Sequence, residues 1–106
     1  MPTAPRENAA VRVARALGDR TRFRLLKAIA ARDEVSCAEL TALFGLAQGT
    51  VSHHLKVLSD AGLVSARAEG AFHYYRVHRD AVAAHGAALS AAFAAPARRA
   101  RAGRAR

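Results

Sequence analysis

The chain is 106 residues long and 52% hydrophobic, the size of one small domain, and because Ala supplies much of that apolar content the core must rest on a few Leu, Val, Ile and Phe. Seventeen Lys and Arg against eight Asp and Glu give a net charge of +9, which favours a polyanionic partner, nucleic acid first. A lone cysteine excludes an intramolecular disulfide, and the sequence shows neither a membrane span nor a signal-peptide core, so a cytoplasmic protein with no membrane partner is expected.

Asn8 to Leu17 has helix spacing at Ala10, Val13, Ala14 and Leu17, and Gly18 ends it. Asp19 can cap a second helix, which carries Phe23, Leu26 and Ala30 on one side with Leu25 and Ile29 adjacent, and which ends near Arg32. Glu34-Val35 reads as a short extended link. Ser36-Cys37-Ala38-Glu39 fits a capping box opening a third helix, whose apolar positions are Ala38, Leu40, Leu43 and Phe44 and which Gly45 closes. After the tight turn Gly45-Leu46-Ala47 a fourth helix begins. Two short helices joined by three or four residues containing Gly form the helix-turn-helix signature.

In the fourth helix Val51, Leu55 and Leu58 recur at i, i+4 and i+7, the spacing of one buried face. Gln48, Thr50, Ser52, His53 and Lys56 lie between them. A helix of this kind can pack on a core and still offer hydrogen bonds to base edges, although an ordinary amphipathic surface helix has the same periodicity. Gly62 stops it. Val64–Arg67 and Phe72–Val77 then read as strands around Ala68-Glu69-Gly70-Ala71, a hairpin with Gly at its tip. From Asp80 to Ala95 the chain is Ala-rich and helix-prone. Val82, Gly86, Leu89 and Phe93 make a heptad-like seam there, suited to packing on a second subunit. The predicted architecture is mainly α with a small β-hairpin, a winged helix-turn-helix of about five helices and a two-stranded wing. Residues 1–95 form the domain, and residues 96–106, which hold five arginines and no acid, form a basic tail expected to be disordered.

Four segments in this order carry a family resemblance. Leu17-Gly18-Asp19-Arg20-Thr21-Arg22-Phe23-Arg24-Leu25-Leu26 is similar to the opening signature of the ArsR/SmtB family. Glu39-Leu40 through Leu46 resembles that family's Asp/Glu-Leu-Ala-x-x-Leu-Gly-Leu segment. Thr50-Val51-Ser52-His53-His54-Leu55-Lys56-Val57-Leu58 with Ala61-Gly62-Leu63-Val64 resembles its recognition helix, and Glu69-Gly70-Ala71-Phe72-His73-Tyr74-Tyr75 its wing. The resemblance spans about residues 12 to 78. It implies a homodimeric transcriptional repressor that binds an imperfect inverted repeat in double-stranded DNA and is released by an inducer, often a metal ion, which the sequence here does not name.

Carried over residue by residue, the resemblance places Gln48, Thr50, Ser52 and His53 at the major groove. It places Lys56, Arg67 and His73 at phosphates. The dimer interface is expected at Val82, Gly86, Leu89 and Phe93 from their seam-like spacing. Ala47 stands where the family often has Ser, which removes an N-cap hydroxyl. The family's metal sites carry over poorly. Ser36 and Ala38 occupy the positions of a Cys-x-Cys pair with Cys37 between them, and in the last-helix site Asp80 matches while Val82, Phe93 and Pro96 do not. No metal and no cofactor is expected at those sites. Two alternatives stay open: an unorthodox metal cluster of His78, Asp80 and His85, and oxidant sensing by Cys37, set against surface histidines and a small buried thiol. A winged-helix module for protein or RNA contacts is the other functional reading. No Gly-rich phosphate loop, catalytic triad spacing or paired carboxylates appear, so an enzyme is not expected.

Overall fold

The computed structural model describes residues 5–96, arranged as α1 (Pro5–Leu17), α2 (Arg20–Ala30), β1 (Val35–Ser36), α3 (Cys37–Phe44), α4 (Gln48–Asp60), β2 (Val64–Glu69), β3 (Phe72–Val77) and α5 (Arg79–Ala92). Apart from Pro96, the basic tail lies outside the described residues. The boundaries follow local chemistry. The Asp19 carboxylate accepts from the Arg22 backbone N–H at 3.0 Å and caps α2. The Ser36 hydroxyl accepts from the Glu39 N–H at 3.0 Å while the Glu39 carboxylate accepts from the Ser36 N–H at 2.9 Å, so the capping box is complete at α3. Gly45 ends α3 at φ 63, a left-handed conformation that costs glycine nothing.

The core gathers Leu25, Leu26 and Ile29 of α2, Leu40 of α3, Val51, Leu55 and Leu58 of α4, and Val35, Leu63, Val64 and Val77 around the sheet. Each fully buried Leu or Ile contributes about 1.5–3 kcal/mol relative to exposure. The expected face of α2 is corrected. Phe23 is 50% exposed, and Leu25, Leu26 and Ile29 fill the core instead. The helix offers two adjacent apolar stripes, and the branched aliphatic one lies toward α4. In α3 only one face is covered, so Cys37 and Leu40 are buried while Leu43 points outward.

The sheet has three strands, in the order β1-β3-β2, all antiparallel. The hairpin is present as read, but β2 runs on to Glu69, and Gly70-Ala71 alone makes the turn, with Gly70 at φ 60. The link at Val35 is itself a strand, pairing Val35 with Tyr75 and Ser36 with Tyr74. Val64 and Val77 at the base of the hairpin are buried, Tyr75 packs against the core, and the stretch from Ala66 to His73 is exposed.

Helix α5 starts at Arg79 and ends at Ala92, three residues before the expected end, with Phe93 outside it. None of its residues is fully buried. Its start is tied down by His78, whose N–H donates to the Leu63 carbonyl at 2.8 Å and whose Nδ1 lies 3.0 Å from the Gly62 carbonyl. Arg79 donates to the Ala30 carbonyl at 2.8 Å. No described helix is long and apolar enough to cross a membrane.

Candidate nucleic-acid interface

Helix α4 divides its two faces cleanly. Val51, Leu55 and Leu58 are fully buried, and Gln48, Thr50, Ser52, His53 and Lys56 are all exposed on the other side. The buried residues hold the backbone rigid, so the exposed ones are presented from a fixed platform. Ala47 offers no side-chain cap, which leaves the amides of the first turn without a side-chain partner. The Ser52 Oγ lies 3.7 Å from the Cys37 Sγ, a weak hydrogen bond between α3 and α4. Lys56 reaches Asp60 at 3.2 Å in an exposed i,i+4 pair, which binds weakly enough to exchange for another anion.

His54 does not share that face. It is half-buried, and its Nδ1 lies 3.3 Å from the Arg22 guanidinium. The same guanidinium donates to the Ala16 carbonyl at 2.8 Å and the Arg15 carbonyl at 3.3 Å. Arg22 therefore ties the end of α1 to α4 and supports the fold. The N–H of Arg22 in turn holds the Asp19 carboxyl below its ordinary range.

In the wing His73 is exposed and stands opposite Ala68. Arg67 is exposed but engaged: its Nη2 donates to Glu34 Oε1 at 2.8 Å, its Nε to Glu34 Oε2 at 3.1 Å, and its Nη1 to Glu69. The guanidinium lies 4.8 Å from the centre of the Tyr74 ring. Hydrogen bonds from Arg67 hold the Glu34 carboxyl below its ordinary range and raise Arg67 itself. Arg76, exposed in β3 opposite Ser65, is a further cation of this face that sequence reading passed over. Glu34 was passed over too. It lies 33 residues from Arg67, and no local pattern signals the pairing.

The α5 seam is open in the single chain. Leu89 is 51% and Phe93 82% exposed, Val82 is exposed, and a Cβ added at Gly86 would meet nothing. Beside it lies an apolar groove of about 330 Å³ lined by Leu17, Phe23, Leu26, Val77 and Val82.

His78, Asp80 and His85 do not converge. His78 and Asp80 line one hollow with Asp33 and Arg76, with the His78 Nδ1 turned to the Gly62 carbonyl, but His85 faces a separate groove with Val13 and Gly62. Among the described residues no three His, Cys, Asp or Glu side chains group as metal ligands. Cys37 is a buried free thiol. Burial, and secondarily Cys37, raises the Tyr75 phenol above its ordinary range.

Comparison with known proteins fits this geometry. Residues 17–66 match a family model described as a helix-turn-helix domain. An uncharacterized HTH-type transcriptional regulator of Methanocaldococcus jannaschii is 36% identical over 73 residues, covering 69% of this chain and 82% of that protein. A putative arsenical resistance operon repressor of Halobacterium salinarum is 42% identical over 66 residues, covering 61% of this chain and 56% of that one. The chain belongs to the ArsR/SmtB family. It is a winged helix-turn-helix transcriptional regulator of the ArsR type. A homodimeric winged helix-turn-helix DNA-binding domain from Mycobacterium bovis, a possible ArsR-family regulator, superposes with a TM-score of 0.68 at 27% identity, covering 87% of this chain and 89% of that one.

Proposed function

We propose that the protein is a homodimeric repressor that acts in the cytoplasm by binding an imperfect inverted repeat in double-stranded DNA. The exposed polar face of α4 over its fully buried apolar face is the observation that carries this reading. Gln48, Thr50, Ser52 and His53 read base edges in the major groove, Gln48 by a bidentate bond to adenine. Lys56 and His73 meet phosphates, the first by exchanging Asp60 for the backbone. The part is one of binding, with no catalytic step.

The dimer forms through α5. The seam is self-complementary in an antiparallel pair centred between Ala87 and Ala88. There Leu89 of one protomer meets Gly86 of the other, large against small, and Phe93 meets Val82 beside the apolar groove. A two-fold interface requires such reciprocity, and it sets two half-sites about one helical turn apart. The relatedness to repressors and the homodimeric neighbour support the same reading.

The test is a binding titration against a duplex selected from random-sequence DNA by the protein itself. Gln48→Ala lowers discrimination at one base pair by about 1–3 kcal/mol and leaves random DNA unaffected. Lys56→Ala weakens all sequences alike and reduces the log–log salt slope by about 0.9. Identical behaviour of the two variants across sequences and salt refutes the roles given to them.

A further inference from the structure

The base and middle of the wing rest on the body: Val64 and Val77 are buried and Tyr75 packs against the core. β1 contributes only two residue pairs to the sheet, and from Ala66 to His73 the hairpin is exposed. The core therefore does not reach the outer part of the wing. What crosses this gap is Arg67. From β2 its guanidinium reaches over Tyr74 of β3 to Glu34, which immediately precedes β1. The contact is a fork against a carboxylate, two nitrogens on two oxygens, and Glu34 is only 24% exposed. The third guanidinium nitrogen is taken by Glu69. Two residues beyond Glu34, Ser36 forms the capping box of α3. The chain of contacts thus runs from the wing to the helix-turn-helix with no loose link.

We propose that Arg67 is a positioning residue, a strap that sets the wing's angle against α3 and α4, and that Glu34 is its anchor. The proposal rests on the DNA-binding reading above and replaces, for this one residue, a direct phosphate contact. Three of its five N–H donors are engaged, two of them in the fork on Glu34, so a phosphate reached by the remaining Nη hydrogens would have to sit beside two carboxylates. Held in place, Arg67 offsets one of the two negative charges of Glu34 and Glu69 on a face that must approach DNA.

The two roles predict opposite signs for one substitution. Glu34→Gln removes a negative charge from a DNA-facing surface. If Arg67 were a phosphate ligand held back by Glu34, this change would free it and tighten binding. The strap requires the reverse: Glu34→Gln weakens binding to the selected duplex by about three- to tenfold. Arg67→Ala does the same, the double variant is no worse than either single one, and the salt slope stays at the wild-type value in all three. Arg67→Lys, which keeps the charge and loses the fork, resembles Arg67→Ala. Melting temperatures fall little and alike in Glu34→Gln and Arg67→Ala, because a pair that is 24% exposed at Glu34 and 51% at Arg67 contributes only modestly to stability. In the free protein, hydrogen exchange at the Phe72–Tyr74 amides speeds up equally in Glu34→Gln and Arg67→Ala. Tighter binding by Glu34→Gln, or a slope reduced by about 0.9 in Arg67→Ala with rescue by Lys, overturns the proposal. A wild-type protein that fails to discriminate its duplex from random DNA overturns the DNA-binding reading instead. The exchange measurement then decides the strap by itself: unchanged exchange in both variants refutes it.

Discussion

Glu39 caps α3 through its carboxylate, and the Ser36 N–H and hydroxyl hold that carboxyl below its ordinary value of 4.5. A carboxylate whose pKa is depressed by folding stabilises the native state above the unfolded value, and that contribution is lost as pH falls through the folded value. Asp19 and Glu34 are depressed as well, by the Arg22 N–H and by Arg67. Stability should therefore fall in acid below about pH 4.5, as these three groups take up protons in the native state. Glu39→Gln keeps an acceptor for the Ser36 N–H but cannot titrate, so its stability–pH curve should be shallower on the acid side in urea titrations at stepped pH. An unchanged acid limb would mean that other carboxylates dominate. Ser36→Ala removes the partner hydroxyl and should cost about 1 kcal/mol at neutral pH. These caps were legible in the sequence because each is made within three residues. Glu34 was not, because its partner comes 33 positions later and from another strand.

Ala47 distinguishes α4 from α2 and α3, the two neighbours with side-chain caps. A hydroxyl placed there would accept from the open first turn. Ala47→Ser should raise unfolding stability by about 1 kcal/mol, read as a higher urea midpoint at unchanged slope. No gain would show that the first turn is already satisfied by other means. The order of the elements and the buried stripe of α4 followed from periodicity and from glycines at the turns. Three features did not. Phe23 and Leu25 both belong to apolar stripes of α2, and only the position of α4 decides which stripe is covered. β1 is two residues long and exists because β3 lies beside it. The end of α5 escaped because Ala continues a helix without marking where it stops, and Phe93 leaves the helix well before Pro96.

At the scale of the whole molecule, α5 is the helix that the single chain leaves uncovered. Gly86 gives a sharp test, because nothing in the single chain would touch a Cβ there. Gly86→Ala should stabilise the isolated helix by about 1 kcal/mol through propensity alone, yet weaken the dimer by crowding Leu89 of the partner. Phe93→Ser should shift sedimentation toward monomer without unfolding the domain. If both variants stay dimeric with unchanged dissociation constants, the seam is not the interface. The fold and the exposed polar face of α4 were legible because they repeat local rules within one chain, whereas what covers α5 is not written in the local pattern of one chain. A helix with no buried residue of its own has a further consequence. If a second copy covers it, as proposed, its order depends on how many copies of the protein are present, and the melting temperature should climb with protein concentration. Below the dissociation constant of the pair, the number of assembled dimers grows as the square of the number of chains. Scarcity would then silence the regulator without any signalling molecule: a cell that dilutes the protein twofold would lose about three-quarters of its dimers by mass action alone.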